Sequence, residues 1–303
     1  MKQDMLEKII LDTDIGPDCD DTGAMALLHE LANNKEAEIL AVTHCTSNPF
    51  GSGCVDAINR WYGRGDIPIG TLECEGFLNE DEHKKYNKYI AENYPNRYPQ
   101  GEGVPSAVKV LRETLIRQED GSVVVVAIGP LPNMLNLLES KPDDISPLYG
   151  YELVKRKVKR LVVMGGGLNN PEYNFIMHPQ STVKVCANWP TEIWFSTFEA
   201  GADIMTGVNW GHMPEEHPVR KSYALYAPDG RMSWDLTAVW AAVMGVEPYY
   251  ELSEPGIMVG LQDGANNWVA DAKGQHRYMI LKASEEQVGK DFDAIMRGEG
   301  IPK

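Results

Sequence analysis

The chain has 303 residues, with 44 Asp and Glu against 28 Lys and Arg, so its formal net charge is −16. That surplus excludes a nucleic-acid backbone or an anionic membrane surface as the main partner and leaves a cation or a small molecule. Hydrophobic residues at 43% and charged residues at 24% are an ordinary globular balance, and a chain this long needs no staple to fold.

The predicted elements alternate. Lys8–Leu11 reads as a first strand and Asp21–Asn33 as a helix; Glu38–Thr43 is a second strand, followed by a helix near Gly53–Trp61. Ile67–Ile69 reads as a short third strand. Ser106–Arg117 is helical, Ser122–Ile128 a nearly all-apolar strand, and Leu131–Leu138 helical. Arg160–Met164 and Glu192–Ser196 are further strands. Uninterrupted apolar strands between helices predict a single α/β domain, residues 1–303, with a mostly parallel, open, Rossmann-like sheet covered on both faces. Two stretches break the rhythm. Residues 73–103 are polar and rich in Tyr and Asn, and read as an inserted lid. Gly256–Val259, Asn267–Ala270 and Arg277–Leu281 read as a small C-terminal β-meander before a last helix, Glu285–Met296.

Five cysteines, an odd number with no CxxC pair, speak against a disulfide framework or a zinc–thiolate site. The charged segment Met1–Lys8 has no signal-peptide character, and Val123–Ile128 is far too short to span a bilayer. The cytoplasm is the expected location.

The sharpest feature follows the first strand. Asp12, Asp14, Asp18, Asp20 and Asp21 lie within ten residues, where a buried strand opens into a loop and then a helix. In open α/β sheets, ligands bind beyond the carboxyl ends of the strands. Asp12 and Asp14 share a side by strand alternation, and Asp20 and Asp21 fall where a helix dipole favours negative charge. Converging carboxylates repel unless one is protonated or a cation lies between them; hard oxygen ligands in a flexible loop suit Ca²⁺ or Mg²⁺. The plain alternative is a solvated acidic turn in which Asp20 caps the helix.

This D-x-D-x-G-x-D-D-like turn resembles that of the nucleoside hydrolases of the inosine-uridine-preferring type. Further motifs resemble that family in the same order: Val42–Asn48, Ala127–Asn133, the Met164-Gly165-Gly166-Gly167 turn, Glu172-Tyr173-Asn174-Phe175, and Ser233–Ala238 with its Trp234-Asp235 pair. The resemblance runs from about Ile9 to Ala242. It implies hydrolysis of the N-glycosidic bond of ribonucleosides, with water at a Ca²⁺ ion activated by an aspartate. By resemblance, Asp14 is the general base and a metal ligand; Asp21, Asp235 and the backbone carbonyl of Pro132 are the other ligands. Asp20, Asn48, Met164, Glu172, Asn174 and Trp234 bind the substrate, and Asp12 supports the site from behind. A homodimer or homotetramer is implied as well, as is a role in nucleoside salvage.

The chain departs from the family pattern in places. Its acidic loop is longer, which makes Asp18 an extra carboxylate. Trp234 replaces a common His, and the family's His-Gly loop is not recognisable around Cys74-Glu75-Gly76. Trp234 either stacks on a base or packs in an apolar helix with Leu236, Val239 and Trp240. His83, His178, His212 and His217 are loop candidates for protonating the leaving base. Two other readings compete: a non-catalytic Ca²⁺-dependent ribose or nucleoside binder, and a haloacid-dehalogenase-type phosphatase with Asp12 as nucleophile.

Overall fold

The computed structural model describes residues 6–74, 76–78 and 86–302. The first half of the chain runs β1 (Glu7–Thr13), α1 (Asp20–Asn33), β2 (Ala37–His44), α2 (Gly51–Trp61), β3 (Ile69–Thr71), α3 (Asn87–Asn93), α4 (Ala107–Ile116), β4 (Val123–Ala127), α5 (Pro132–Glu139) and α6 (Gly150–Lys157). The middle holds β5 (Val158–Met164), α7 (Tyr173–Met177), α8 (Pro179–Asn188), β6 (Glu192–Ser196), α9 (Phe198–Gly201), β7 (Met205–Thr206) and α10 (Pro218–Tyr226). The chain continues through β8 (Arg231–Met232), α11 (Trp234–Met244), β9 (Tyr250–Leu252), β10 (Gly256–Gly260), β11 (Asn266–Ala270), β12 (His276–Leu281) and α12 (Glu285–Met296).

The main sheet has the order β11-β10-β12-β6-β5-β4-β1-β2-β3, with β9 pairing β12. From β3 to β12 every neighbouring pair is parallel; β9, β10 and β11 attach antiparallel. The expected C-terminal β-meander is thus stitched onto the main sheet, because β12 runs parallel beside β6. The third strand begins at Ile69, two residues later than its apolar run predicts; Ile67 is buried beneath it as a core residue.

Alternation along the central strands explains the two-sided core. Ile9 and Leu11 of β1 with Val124 and Val126 of β4 face α1, α2 and α11. Ile10, Val123 and Val125 face α4, α5 and α6. A strand buried on both faces has no polar side to spend, which is why these runs read as unbroken apolar stretches.

The order also positions the site. From β1 the chain moves through β2 to β3 on one side, then crosses back to β4, β5 and β6 on the other. The crevice beyond β1 and β4 is therefore a topological switch point, where open α/β sheets bind ligands. The acidic turn after β1 opens there. In the 73–103 segment, α3 packs on α2 and α10, and Asn87 Nδ2 donates to the Ile15 carbonyl at 3.1 Å. Tyr86 is buried and its hydroxyl donates to the carbonyl of Asp18. These contacts brace the acidic loop from outside.

Candidate active site

Loop and helix chemistry sorts the five aspartates. Asp12 is fully buried, and its Oδ1 accepts from Thr43 Oγ1 at 2.5 Å and Asn133 Nδ2 at 2.8 Å. Burial pushes its carboxyl up to about 7 despite those two donors. Its Oδ2 is buried without a partner, and Asp12 does not line the cavity shared by Asp14 and Asp20, which speaks against the phosphatase reading with Asp12 as nucleophile. Cys19, not Asp20, is the N-cap of α1, and no side chain caps that helix. The reading of Asp20 as an ordinary cap is therefore corrected.

Asp14, Asp18, Asp20 and Asp235 line one side of a cavity of about 380 Å³, a size usual for small-molecule sites, which run roughly 300–1,000 Å³. Asp14 reaches this position because residue 129 has no side chain. A Cβ there would stand 2.8 Å from both Asp14 Oδ1 and Cys45 Sγ. Asp21 lies just behind, wholly buried, its Oδ1 accepting from Thr13 Oγ1. Asp235 comes from the opposite end of the chain, in the first turn of α11, and its backbone N–H donates to Asp20 Oδ2 at 3.3 Å.

Burial and mutual repulsion hold Asp14, Asp20, Asp21 and Asp235 well above the usual carboxylate range. For Asp14 the largest cause is burial, then the charge of Asp18; for Asp235 it is burial, then Asp20 and Asp21. Asp20 Oδ1 and Asp21 Oδ2 are buried without a hydrogen-bond partner. Such orphan oxygens cost free energy unless a proton or a cation satisfies them. The donor set therefore fits a hard divalent cation. Among the described residues, no three His, Cys, Asp or Glu groups already converge on a single point.

The wall contributed by β5 and α7 is built differently. The Met164-Gly165-Gly166-Gly167 turn is tight: Gly166 has φ of +79°, and a Cβ on Gly165 would stand 2.5 Å from the Phe175 ring. The Gly166 N–H donates to Glu172 and the Gly167 N–H to Asn266 Oδ1. Those amides are spent on side chains, so the turn is no phosphate cradle. Glu172 caps α7, accepting from the N–H groups of Asn174 and Phe175 as well. Burial pushes its carboxyl up to about 7 against those hydrogen bonds. Asn174 Nδ2 donates to the carbonyls of Ile128 and Met164, at 3.3 and 3.2 Å.

The other half of the cavity is aromatic. Phe198, Trp234, Tyr226 and Tyr173 line it, with Ile176 and Met177. Trp234 Nε1 donates to the Phe198 carbonyl at 2.9 Å, and the two rings sit 5.5 Å apart. Trp234 is thus a cavity wall fixed at its polar edge, only partly buried against the core.

The cavity gathers Asp14, Asp20, Met164, Glu172, Asn174, Trp234 and Asp235. Asp21, Pro132 and Asn48 lie off its wall. Asn48 Oδ1 accepts from the Phe50 N–H at 2.9 Å, while its Nδ2 is buried and unpartnered. Pro132 is the buried first residue of α5. None of the described histidine candidates lines the cavity. His178 and His217 cap α8 and α10, and His212 sits on the surface near Glu299. His83 and Glu75 lie outside the described residues.

Arg231 is the site residue that sequence reasoning missed. Its Nη2 donates to Asp18 Oδ2, its Nε stands 3.7 Å from Asp20 Oδ1, and its guanidinium lies 5.0 Å from the Trp234 ring centroid. The partner is 213 positions away in the chain, so no local pattern marks it. Its only sequence signal is position, three residues before the Trp234-Asp235 pair.

The cavity thus sets a carboxylate cluster, at the switch point of a parallel sheet, against an aromatic wall. Residues 9–254 match the inosine-uridine preferring nucleoside hydrolase family, and the chain belongs to it. A pyrimidine-specific ribonucleoside hydrolase of Salmonella paratyphi A is 27% identical over 229 residues, 69% of this chain and 62% of that protein. The match thus spans less than two thirds of that relative's length. Solved structures share the fold. An inosine-uridine preferring nucleoside hydrolase from Bacillus anthracis superposes with a TM-score of 0.72 at 17% identity, covering 97% of this chain and 100% of that one. A purine-preferring ribonucleoside hydrolase from Gardnerella vaginalis gives 0.70 at 16%, covering 96% and 98%.

Proposed function

We propose that this protein hydrolyses the N-glycosidic bond of ribonucleosides, releasing free base and ribose. The observation that carries this reading is the juxtaposition in one cavity of buried, unsatisfied carboxylates and an aromatic wall. Breaking the bond builds positive charge on the sugar, which a carboxylate-rich pocket stabilises. Asp14 takes the proton of the attacking water; burial and the charge of Asp18 make it a stronger base than a free carboxylate. Asp20 and Asn174 accept from ribose hydroxyls, and Glu172 has lone pairs left to do the same. Asn48 would add its unpartnered Nδ2. Asp14, Asp21, Asp235 and the Pro132 carbonyl would hold a divalent cation, Ca²⁺ by family resemblance. Such an ion, when bound, orients the sugar diol and lowers the pKa of water.

Buried thiols at Cys19, Cys45, Cys54 and Cys186 support a reducing, cytoplasmic setting. No described helix is long and apolar enough to cross a membrane. A homodimer or homotetramer remains the family expectation, which sedimentation would decide. The deciding experiment measures free ribose from a panel of purine and pyrimidine nucleosides, with Ca²⁺ and after chelation. Chelation-sensitive release supports the hydrolase. Saturable nucleoside binding without release supports the non-catalytic binder instead.

A further inference from the structure

We infer that Arg231 reads the leaving base, and that its guanidinium fork selects ribonucleosides of 6-oxopurines. This rests on the hydrolase reading above and names a residue for its least assigned half. Arg231 sits where the acidic and aromatic halves of the cavity meet. Its guanidinium lies over two rings, 5.0 Å from the centroid of Trp234 and 5.7 Å from that of Tyr226. A planar base lying beside those two rings, in the part of the cavity lined by Phe198 and Tyr173, would meet the fork at its edge.

The donor count decides what that edge must be. Arginine offers five N–H donors and accepts nothing. Among the described residues, Asp18 is its one hydrogen-bond partner; Nε is buried, facing Asp20 Oδ1 at 3.7 Å, so the donors left for a ligand are on the Nη edge. A base that satisfies the fork must present acceptors. Hypoxanthine and guanine carry O6 and N7 side by side, the pair an arginine fork takes bidentately. Adenine places an amino donor beside N7, cytosine presents an amino donor, and uracil offers one carbonyl at the matching edge. Asp18 is a positioning residue here: it holds Nη2 while Asp20 faces Nε, which leaves the outer Nη edge to the base.

The same contact helps the reaction. The C1′–N9 bond breaks with its electron pair passing to the base, and the C1′–O bond forms from water. One water proton goes to Asp14. The charge left on the purine spreads towards N7 and O6, where Arg231 donates, and the departing base then takes a proton from solvent. Arginine stays charged at any working pH, so it acts as a fixed electrostatic partner and not as an acid. That accounts for a base-side wall without histidine among the described residues.

The test compares inosine, adenosine, uridine and 4-nitrophenyl riboside, whose leaving group needs no assistance. The wild type should prefer inosine to adenosine by roughly 10- to 100-fold in kcat/KM, the worth of one bidentate contact. Arg231→Ala should lose about 30-fold more on inosine than on the nitrophenyl riboside, the loss common to both reporting the freed Asp18 and Asp20. Arg231→Lys, which keeps the charge without the fork, should recover rate but not the preference. Equal losses on all four substrates, or a wild type that prefers adenosine, would overturn the assignment. If the wild type cleaves none of them, the hydrolase reading fails, and the assignment is read from binding. A tighter Kd for inosine than adenosine, levelled by Arg231→Ala, supports it; equal Kd values overturn it.

Discussion

Two groups of buried carboxylates in this molecule have opposite fates. Asp56, on α2, is fully buried, yet it accepts from Arg97 Nε and Nη2 at 3.0 and 2.7 Å and from Arg60 Nε at 2.9 Å. Burial alone would raise its carboxyl, but those donors bring it below the usual range. The cluster of Asp14, Asp20, Asp21 and Asp235 has Arg231 at its edge and otherwise mainly its own repulsion. The first group is locked and holds α2 to the segment carrying Arg97. The second is a set of charges whose partner the fold does not fully supply. A buried carboxylate that is paired serves the architecture; one left wanting is poised for a ligand.

The contrast breaks most visibly in turnover. Asp14→Asn removes the proposed base while keeping the side-chain shape, and should lower kcat about 1,000-fold or more with nucleoside binding largely kept. Asp56→Asn should leave kcat/KM near the wild-type value, since it lies outside the cavity. Steady-state kinetics on the best nucleoside settles both, and a crippled Asp56→Asn enzyme would erase the distinction. Stability should invert the ranking. Asp56→Asn should cost about 2 kcal/mol by urea unfolding, below the ~3–5 of a fully buried pair because Arg60 and Arg97 reach solvent.

The two groups also differ in how they could be read from sequence. The acidic cluster was visible because Asp12, Asp14, Asp18, Asp20 and Asp21 are neighbours in the chain and follow an apolar strand. Asp235 was placed only by family resemblance, since nothing local links it to Asp20. Arg231 was missed for the same reason: its partners come from the other end of the chain. Helices α8 and α10 went unmarked because each starts at a His-Pro pair, whose imidazole does the capping that Ser or Asp usually does. The central strands were plain, being buried on both faces. The short third strand was offset because its first apolar residue, Ile67, packs in the core before pairing begins.

A smaller effect sharpens the same contrast from the other side. Asp21→Asn keeps an oxygen for Thr13 Oγ1 and removes one repelling charge. In cation-free buffer it should stabilise the protein against urea, because burial and the charges of Asp14 and Asp18 no longer act on a carboxylate there. If the cluster holds Ca²⁺ as proposed, the wild type should melt higher with the ion, and Asp21→Asn should abolish that rise. A destabilised Asp21→Asn protein in chelator would mean that the charge is already satisfied within the fold.

The last difference is a slope. Asp12 and Glu172 are raised from ordinary values of 3.8 and 4.5 to about 7, and the four cluster aspartates move in the same direction. Between about pH 4 and 7 the folded, cation-free protein therefore holds protons that the unfolded chain has released, so its stability falls as pH rises through that window. Each such proton contributes a slope of about 1.4 kcal/mol per pH unit where the two states differ fully. Asp56 has the opposite sign: its contribution is present above its ordinary pKa and is lost only as pH falls below it. Denaturation in chelator should thus give a maximum on the acid side and a decline towards neutrality. With Ca²⁺ the decline should flatten if, as proposed, the ion takes the place of the protons that relieve the cluster's repulsion. A cation-free stability that climbs steadily from pH 4 to 7 would mean the cluster carries its charges without strain, and the division between the two groups would be lost.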